Sequence, residues 1–145
     1  MGDRIALLKD GRLVQVGTAE DLYLKPADIF AAAFVSEIND FPGHVRGGIV
    51  ETPLGNVAAG GIADGARVRT AVRLSGVHVS ETGGAIPARI LSRRFLGVVE
   101  LLSLAVPGTD QPVRARIRAG DLRHALRDVT VSVNERDILV FEKGG

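Results

Sequence analysis

Hydrophobic and polar residues follow different patterns before and after residue 40. The run IALL at residues 5–8 is apolar at every position, which is typical of a strand covered on both faces. The pair Asp10-Gly11 follows it and predicts a tight turn into a second strand, RLVQVG. The sequence therefore predicts a β-hairpin at the front of the chain, with a first strand suited to burial.

Two short helices are predicted after the hairpin. Thr18 is placed to cap the first helix, with Asp21 three residues later as in a weak capping box. That helix must end near Pro26, because the residue before a proline is disfavoured in the helical conformation. The second helix is predicted over 27–38. Its apolar face consists of Ile29, Phe30, Ala33 and Phe34.

Short β-prone runs replace the helical spacing after residue 40. Clusters of Gly, Pro and Asp separate these runs, which is the pattern of a small barrel or sandwich. The segment 120–128 is ambiguous between a helical turn and a loop. The predicted strand runs are HVRGGIVET, ARVRTAVRL, IPARILSRRFLG, VVELLSLAVPG, PVRARIR, VTVSVN and DILVFEK. The chain is therefore predicted to be mainly β, with its domain boundary between residues 40 and 41.

Composition narrows the class of protein. The 145 residues suffice for one core, or for a small domain plus an appendage. The formal net charge is +1, so no strong attraction to nucleic acid is expected. The chain has no cysteine, which excludes disulfides and thiolate chemistry. No apolar run approaches the roughly 20 residues of a membrane span, and we expect a soluble chain without direct membrane insertion.

Arginines alternate with apolar residues along one predicted strand. Arg114, Arg116 and Arg118 share one face of the run VRARIR, because side chains point to opposite faces with a period of two. They form a candidate anion surface, and the alternative is an ordinary solvated face. Stacking aromatics, which oligonucleotide binding requires, are sparse in this half of the chain. A similar row consists of Arg67, Arg69 and Arg73.

Other polar residues give no catalytic or metal-binding pattern. The three histidines, His44, His78 and His124, are far apart in sequence and share no metal-ligand spacing. We expect no bound metal. Glu135 and Asp137 lie in the turn-like segment NERD, which favours a hairpin over acid–base catalysis.

The densest apolar stretch is SRRFLGVVELLSLAVPG. Gly97 within it predicts a bulge or a barrel corner between two strands. Such a run is expected to lie mostly in the core. Part of it, around Phe95 and Leu96, is a candidate contact with a second chain.

The first 40 residues resemble the last part of the ATPase domain of ABC importers. In that family a stretch of the form A-D-R-I is followed by D/N-G-R-I-x-Q-x-G-T-P-x-E-x-Y-x-x-P. Ala19 stands where proline is common. The matching residues are Asp3, Arg4, Ile5, Asp10, Gly11, Arg12, Gln15, Gly17, Thr18, Tyr23 and Pro26.

Residues 41–145 resemble the transport-associated OB (TOBE) domain of these ATPases. The stretches that show it are FPGHV, VRLSGVHV, IPARILSRRFLG and DILVF. The family often has Arg-Pro-Glu where this chain has Arg73-Leu74-Ser75, so this turn departs from the family pattern. The resemblance implies an OB-like small β-barrel that follows the hairpin and two helices of residues 1–40.

The resemblance also implies what this chain lacks. ATP hydrolysis uses a G-x-x-x-x-G-K-S/T loop and a carboxylate for Mg²⁺, and the sequence contains no such loop. The family's catalytic motifs precede the position of Asp3, so we expect a piece of a longer protein without catalytic, cofactor-binding or metal-binding residues. ATP and Mg²⁺ would bind only in the intact parent protein.

In this family the accessory domains of two subunits pack together, hold the dimer and, in some members, take regulatory signals. The resemblance therefore implies a regulatory and dimerising module, a membrane permease as partner in the intact protein, and a cytoplasmic place at the inner face of the membrane. The segments FVSEIND and LSRRFLG favour the ferric iron branch, with polyamine, thiamine and sulfate branches close behind. The alternative is a stand-alone OB-type domain that binds an oligonucleotide or a small anion.

A dimer is also expected from apolar residues left without cover. Five large side chains of the first 40 residues represent about 10 kcal/mol of unmet burial, and exposed apolar surface marks association sites. We predict a two-fold homodimer in which the N-terminal arm packs on its partner or exchanges with it. The candidate interface consists of Ile5, Leu7, Phe30, Phe34, Phe95 and Leu96.

Overall fold

The N-terminal hairpin forms because its turn adopts the conformation that a two-residue connection requires. The computed structural model describes residues 3–143. Asp10 and Gly11 have φ of 53° and 77°, and a type I′ turn needs positive φ at both central positions. Strands β1 (Ile5–Lys9) and β2 (Arg12–Gly17) pair antiparallel on either side of it. The predicted hairpin is present.

Both predicted helices are present, and side chains cap both N-termini. Helix α1 (Ala19–Leu24) begins with a complete capping box: Thr18 Oγ1 accepts from Asp21 N at 3.1 Å, and Asp21 Oδ2 accepts from Thr18 N at 3.0 Å. Helix α2 (Ile29–Val35) is capped by Asp28. It is shorter than the predicted 27–38 helix, because the chain is already extended at Ser36 and the next strand begins at Ile38.

Strand β1 is covered on one face only, so part of its apolar run lacks the cover for which the run is suited. Leu7 is 3% exposed, whereas Leu8 is 61% exposed. The core of this first unit consists of Leu7, Leu22 and Ala31, with Ile5, Val14, Phe30 and Val35 packed against it. The candidate interface residues Ile5, Leu7 and Phe30 thus contribute to this local core.

The chain divides into two compact units, Met1–Ile38 and Asn39–Gly145. In the second unit, β10-β9-β8-β11-β7 form one five-stranded sheet and β12-β6-β3-β4-β5 form another. The strands are β3 (Ile38–Arg46), β4 (Ile49–Thr52), β5 (Gly55–Ala58), β6 (Arg67–Arg73), β7 (His78–Ser80), β8 (Ile86–Phe95), β9 (Val99–Ala105), β10 (Val113–Arg118), β11 (Asp128–Ser132) and β12 (Ile138–Glu142). Two 3₁₀ turns are Leu74–Gly76 and Glu135–Asp137.

One hydrophobic core serves both sheets of the second unit. Buried side chains from the two sheets include Val45, Val72, Leu102, Leu104 and Val131. The edge strands β10 and β7 lie near each other, so the first sheet is nearly closed and barrel-like. The expectation of a mainly β fold with two helices is confirmed.

Three further details complete the description of the fold. The segment DFPG lies inside β3. Pro42 precedes the part of β3 that pairs with β4, Val45 and Arg46, so its missing N–H does not interrupt that pairing. The ambiguous segment before Asp128 is an irregular loop with turns. Among residues 3–143, no helix is long and apolar enough to cross a lipid bilayer.

Candidate functional site

The β8–β9 hairpin ends in an exposed apolar turn, which we call the hairpin tip and define as residues 95–98. Leu96 N donates to Val99 O at 2.9 Å, and Gly97 supplies a φ of 97°. Gly97 is therefore a hairpin-turn residue, not a bulge or a barrel corner. Phe95, Leu96 and Val98 are 69%, 49% and 80% exposed, so this end of the run lies outside the core, whereas Leu102 and Leu104 of the same run are buried.

Strand β10 presents the predicted arginine row to solvent. Its residues alternate strictly between buried Val113, Ala115 and Ile117 and the exposed arginines at 114, 116 and 118. The register fixes their neighbours: Arg116 lies opposite Leu101 of β9, and Arg118 lies opposite Val99. The predicted shared face of the three arginines is present.

A fourth arginine joins this row from β8. Leu101 lies opposite Arg94 on its other side, so Arg94, Leu101 and Arg116 form one line across three strands. In the next line, Ser103 lies between Ser92 and Arg114. We call this surface the arginine face; it consists of Ser92, Arg94, Val99, Leu101, Ser103, Arg114, Arg116 and Arg118.

The charge of the arginine face is of one sign. No Asp or Glu occupies any of its eight positions. Within residues 3–143, Arg94, Arg116 and Arg118 make no ion pair. Exposed guanidinium groups with no carboxylate beside them attract anionic groups of a ligand or partner.

Asn39 fixes the outer edge of this face. Its Oδ1 accepts from Arg114 N at 2.7 Å, and its Nδ2 donates to Arg114 O at 2.8 Å and to Val72 O at 3.4 Å. Asn39 is 6% exposed and so joins β10 to β6 of the other sheet. This role of Asn39 was not predicted from the sequence, because an asparagine shortly before a proline is typical of a turn.

Arg93 and Glu100 form a buried pair on the opposite, inward side of β8 and β9. Arg93 Nε and Nη2 donate to the two Glu100 oxygens at 3.0 and 2.9 Å. The same guanidinium donates to Arg123 O at 2.6 Å, to Leu122 O at 3.2 Å and to His124 O at 3.4 Å. These bonds fasten the 119–127 loop to the sheet.

The hydrogen bonds from Arg93 hold the pKa of Glu100 below its usual range, against the opposing effect of burial. A lowered pKa keeps this carboxylate ionised at neutral pH. Glu100 is therefore bound to Arg93 inside the fold and does not neutralise the arginine face.

The remaining candidate residues do not come together. His44, His78 and His124 are all exposed, and residues 3–143 contain no group of three or more His, Asp or Glu side chains placed to hold a metal ion. Arg69 is paired with Asp40 at 2.6 Å. Glu135 Oε2 accepts from Ala58 N at 3.1 Å, which is a structural role for the NERD turn.

The candidate interface residues fall into two classes. Ile5, Leu7 and Phe30 pack in the first unit's own core. Phe34 and the tip residues Phe95 and Leu96 are 60%, 69% and 49% exposed, respectively. The exposed three present most of their surface for a contact with another chain, Ile5 and Phe30 present less, and Leu7 is buried.

Comparison with known proteins relates the chain to importer subunits. It is 31% identical over 117 residues to the Fe(3+) ions import ATP-binding protein FbpC 1 of Rhodococcus jostii, covering 79% of this chain and 33% of that protein. It is 33% identical over 130 residues to the sulfate/thiosulfate import ATP-binding protein CysA of Bradyrhizobium diazoefficiens, covering 83% of this chain and 37% of that protein. The spermidine/putrescine import ATP-binding protein PotA 1 of Pseudomonas aeruginosa is 32% identical, covering 84% of this chain and 33% of that protein.

These homologues are ATP-binding subunits of ABC importers. The chain spans about a third of the length of the curated relatives it matches. The similarity extends over most of this chain but does not single out the ferric iron branch, because relatives named for sulfate and polyamine import match equally well. No protein-family model matches the chain.

A solved structure supports the fold of the second unit. The cytoplasmic molybdate-binding protein ModG, in a form with molybdate bound, superposes with a TM-score of 0.55 and covers 72% of this chain and 96% of that chain. Sequence identity is 14%, so the likeness concerns the fold alone. The OB-like expectation is confirmed.

Proposed function

We propose that this chain is the regulatory and dimerisation module of the ATP-binding subunit of an ABC importer. The observation that carries the proposal is similarity to import ATP-binding proteins along 79% of the chain at 31% identity. Two features of the structure support it: a separate β unit suited to regulation, and exposed apolar side chains suited to association. The parent protein couples ATP hydrolysis to import.

The module itself is proposed to be non-catalytic. Its sequence contains no G-x-x-x-x-G-K-S/T loop, and such a loop is what places backbone N–H groups around the phosphates. ATP and Mg²⁺ belong to the parent protein. Calorimetric titration of the chain with Mg-ATP should give no binding heat, and saturable micromolar binding would contradict this assignment.

Dimerisation is proposed to use the exposed apolar side chains of the first unit. Leu8, Leu13, Leu24 and Phe34 are each about 60% exposed, and burying such side chains favours association. The chain should sediment as a dimer at tens of micromolar. F34S should shift the equilibrium toward monomer, whereas the matched tip variant F95S should not. A monomeric wild-type chain would refute the dimer, and a dimer lost in F95S would move it to the hairpin tip.

The imported substrate is proposed to be ferric iron. The supporting relatives include ferric iron import proteins of Rhodococcus jostii that are 31% and 28% identical to this chain. The complete subunit would work with a membrane permease at the cytoplasmic face of the membrane. Deleting the gene should abolish uptake of radiolabelled ferric iron and leave sulfate and spermidine uptake intact. Loss of sulfate or spermidine uptake instead would reassign the substrate.

The alternative is an OB-type domain that binds an oligonucleotide or a small anion. The exposed row of Arg114, Arg116 and Arg118 favours it. The eight positions of the arginine face contain no aromatic residue on which bases could stack, which weighs against it. Labelled oligothymidylate, titrated with the chain and followed by fluorescence anisotropy, decides between the importer module and this alternative. Saturable binding would favour the OB-type domain, and no binding would favour the importer module.

A further inference from the structure

The arginine face and the hairpin tip are adjacent, because β8 and β9 contribute to both. Val99 and Leu101 form a half-exposed apolar line along β9, and that line continues into the exposed tip. Arg94 lies on one side of the line, and Arg116 and Arg118 lie on the other. We propose that this surface docks an acidic amphipathic helix of a partner protein.

The spacing of the strands fits a helix. Neighbouring strands lie about 4.8 Å apart, so β8 and β10 are separated by about 10 Å across β9. That separation is close to the diameter of an α-helix with its side chains, about 10–12 Å. A helix lying along β9 places its apolar stripe on Val99 and Leu101. Carboxylates on its two margins then reach Arg94 on one side and Arg116 on the other.

The length of the surface also fits. The seven residues of β9 extend about 23 Å, which corresponds to about 15 residues of helix. Phe95 and Val98 at the tip extend the apolar contact beyond the strand, and aromatic side chains are favoured anchors at protein interfaces. Arginine is likewise enriched at such interfaces, because its planar group pairs bidentately with carboxylates.

Other anionic occupants match the surface less well. A single-stranded nucleic acid needs aromatic platforms along its path, and none of the eight positions of the arginine face supplies one. A small anion needs convergent donors, but Leu101 separates Arg94 from Arg116. An apolar line between two cationic margins is complementary to an amphipathic helix with acidic margins.

The test measures binding of a designed probe to the full chain by fluorescence anisotropy. The probe is a fluorescein-labelled peptide of about 18 residues, long enough to form a helix, with leucines on one face and glutamates along both margins. The wild-type chain should bind it at micromolar concentration. R94E/R116E should weaken binding about tenfold or more, since both margins then repel the peptide. The matched control R136E makes the same kind of charge change at an exposed arginine of the Glu135–Asp137 turn and should change affinity less than about twofold.

Three further arms make the result decisive. A peptide of the same composition with its leucines spread around the helix should bind at least about fivefold more weakly, because it cannot seat an apolar stripe. L96S/V98S should weaken the striped peptide while circular dichroism stays unchanged. Oligothymidylate and phosphatidylglycerol vesicles should bind more weakly than the striped peptide.

The proposal is overturned if the striped peptide does not bind, if the spread-leucine peptide binds equally well, or if R136E weakens binding as much as R94E/R116E. Tighter binding of oligothymidylate or of the vesicles overturns it in favour of those ligands. The inference rests on the proposed regulatory function only for its biological setting. If F34S loses the dimer but still binds the peptide, the dimerisation proposal and the docking proposal are tested separately.

Discussion

The buried pair of Arg93 and Glu100 gives the sharpest stability prediction. Both side chains are largely buried, at 16% and 9% exposed, so solvent screens their interaction little. Replacing one partner leaves the other charge buried without a counter-ion, which typically costs about 3–5 kcal/mol. E100M should therefore lower the free energy of unfolding by about that amount, and R93M should do so too, since it also removes the three donors to the 119–127 loop.

Urea unfolding followed by far-ultraviolet circular dichroism measures the effect. With a slope of about 1–1.5 kcal/mol per molar urea for a domain of this size, the midpoint should fall by about 2–5 M. The double variant R93M/E100M should cost less than the sum of the singles, with a coupling of about 1–3 kcal/mol. E81Q is the matched control. It breaks the exposed ion pair between Glu81 and Arg123, which lies in the same 119–127 loop, and it should barely move the midpoint.

The pair also predicts a pH dependence. The Arg93 hydrogen bonds lower the pKa of Glu100 in the folded state below its unfolded value. The contribution of the ionised Glu100 to stability is therefore complete above the pKa that a glutamate has in the unfolded chain, about 4.3. That contribution is lost as the pH falls through the lower pKa of Glu100 in the folded state. The stability difference between wild type and E100M should shrink from pH 7 toward pH 3. A constant difference, or additive single variants, would refute the buried ion pair as the stabilising interaction.

The remaining predictions concern three local features of the second unit, each measured by urea unfolding. N39A should cost about 2–3 kcal/mol, because it removes three hydrogen bonds, two of them to Arg114 on the edge of β10; no change would mean that water replaces the amide. G84A should cost about 1–3 kcal/mol, since the new Cβ would lie 2.9 Å from Thr130 Cβ, and a neutral result would show that the loop yields freely. G97A should cost about 1 kcal/mol from strain at a φ of 97°, with no steric part because nothing lies within 4 Å.

Much of the fold was predictable because its signals are local. The Asp10-Gly11 turn, the Thr18 cap and the alternation in β10 each depend on neighbours within a few residues. The errors arose where distant residues decide the outcome. The apolar run of β1 does not show which of its faces packs in this chain, and the structure places the Leu7 side in the local core. The end of α2 was placed too late, because Ile38 already belongs to β3.

The candidate site shows the same limit. The sequence predicted that Arg114, Arg116 and Arg118 share a face, but not that Arg94 lies two strands away on the same line. That placement depends on the β8–β9 register, which shifts by one residue between Ile90 and Ser92. A one-residue slip moves every side chain of a strand to the opposite face. The irregularity therefore decides that Arg94 faces out beside Leu101 while Arg93 points inward to Glu100.

Arg93 and Arg94 are adjacent in sequence but point to opposite faces of β8, and we assign a stabilising role to the first and a recognition role to the second. The inward Arg93 is fully engaged with Glu100 and the loop carbonyls, so it stabilises the end of the barrel. The outward Arg94 makes no ion pair among the described residues and contributes its charge to the surface. Since a strand alternates its side chains, consecutive arginines at this point supply both functions. The pair links β8 to β9 directly below the tip, and we expect a hairpin fastened in this way to present the tip and the arginine face with a smaller ordering cost on binding.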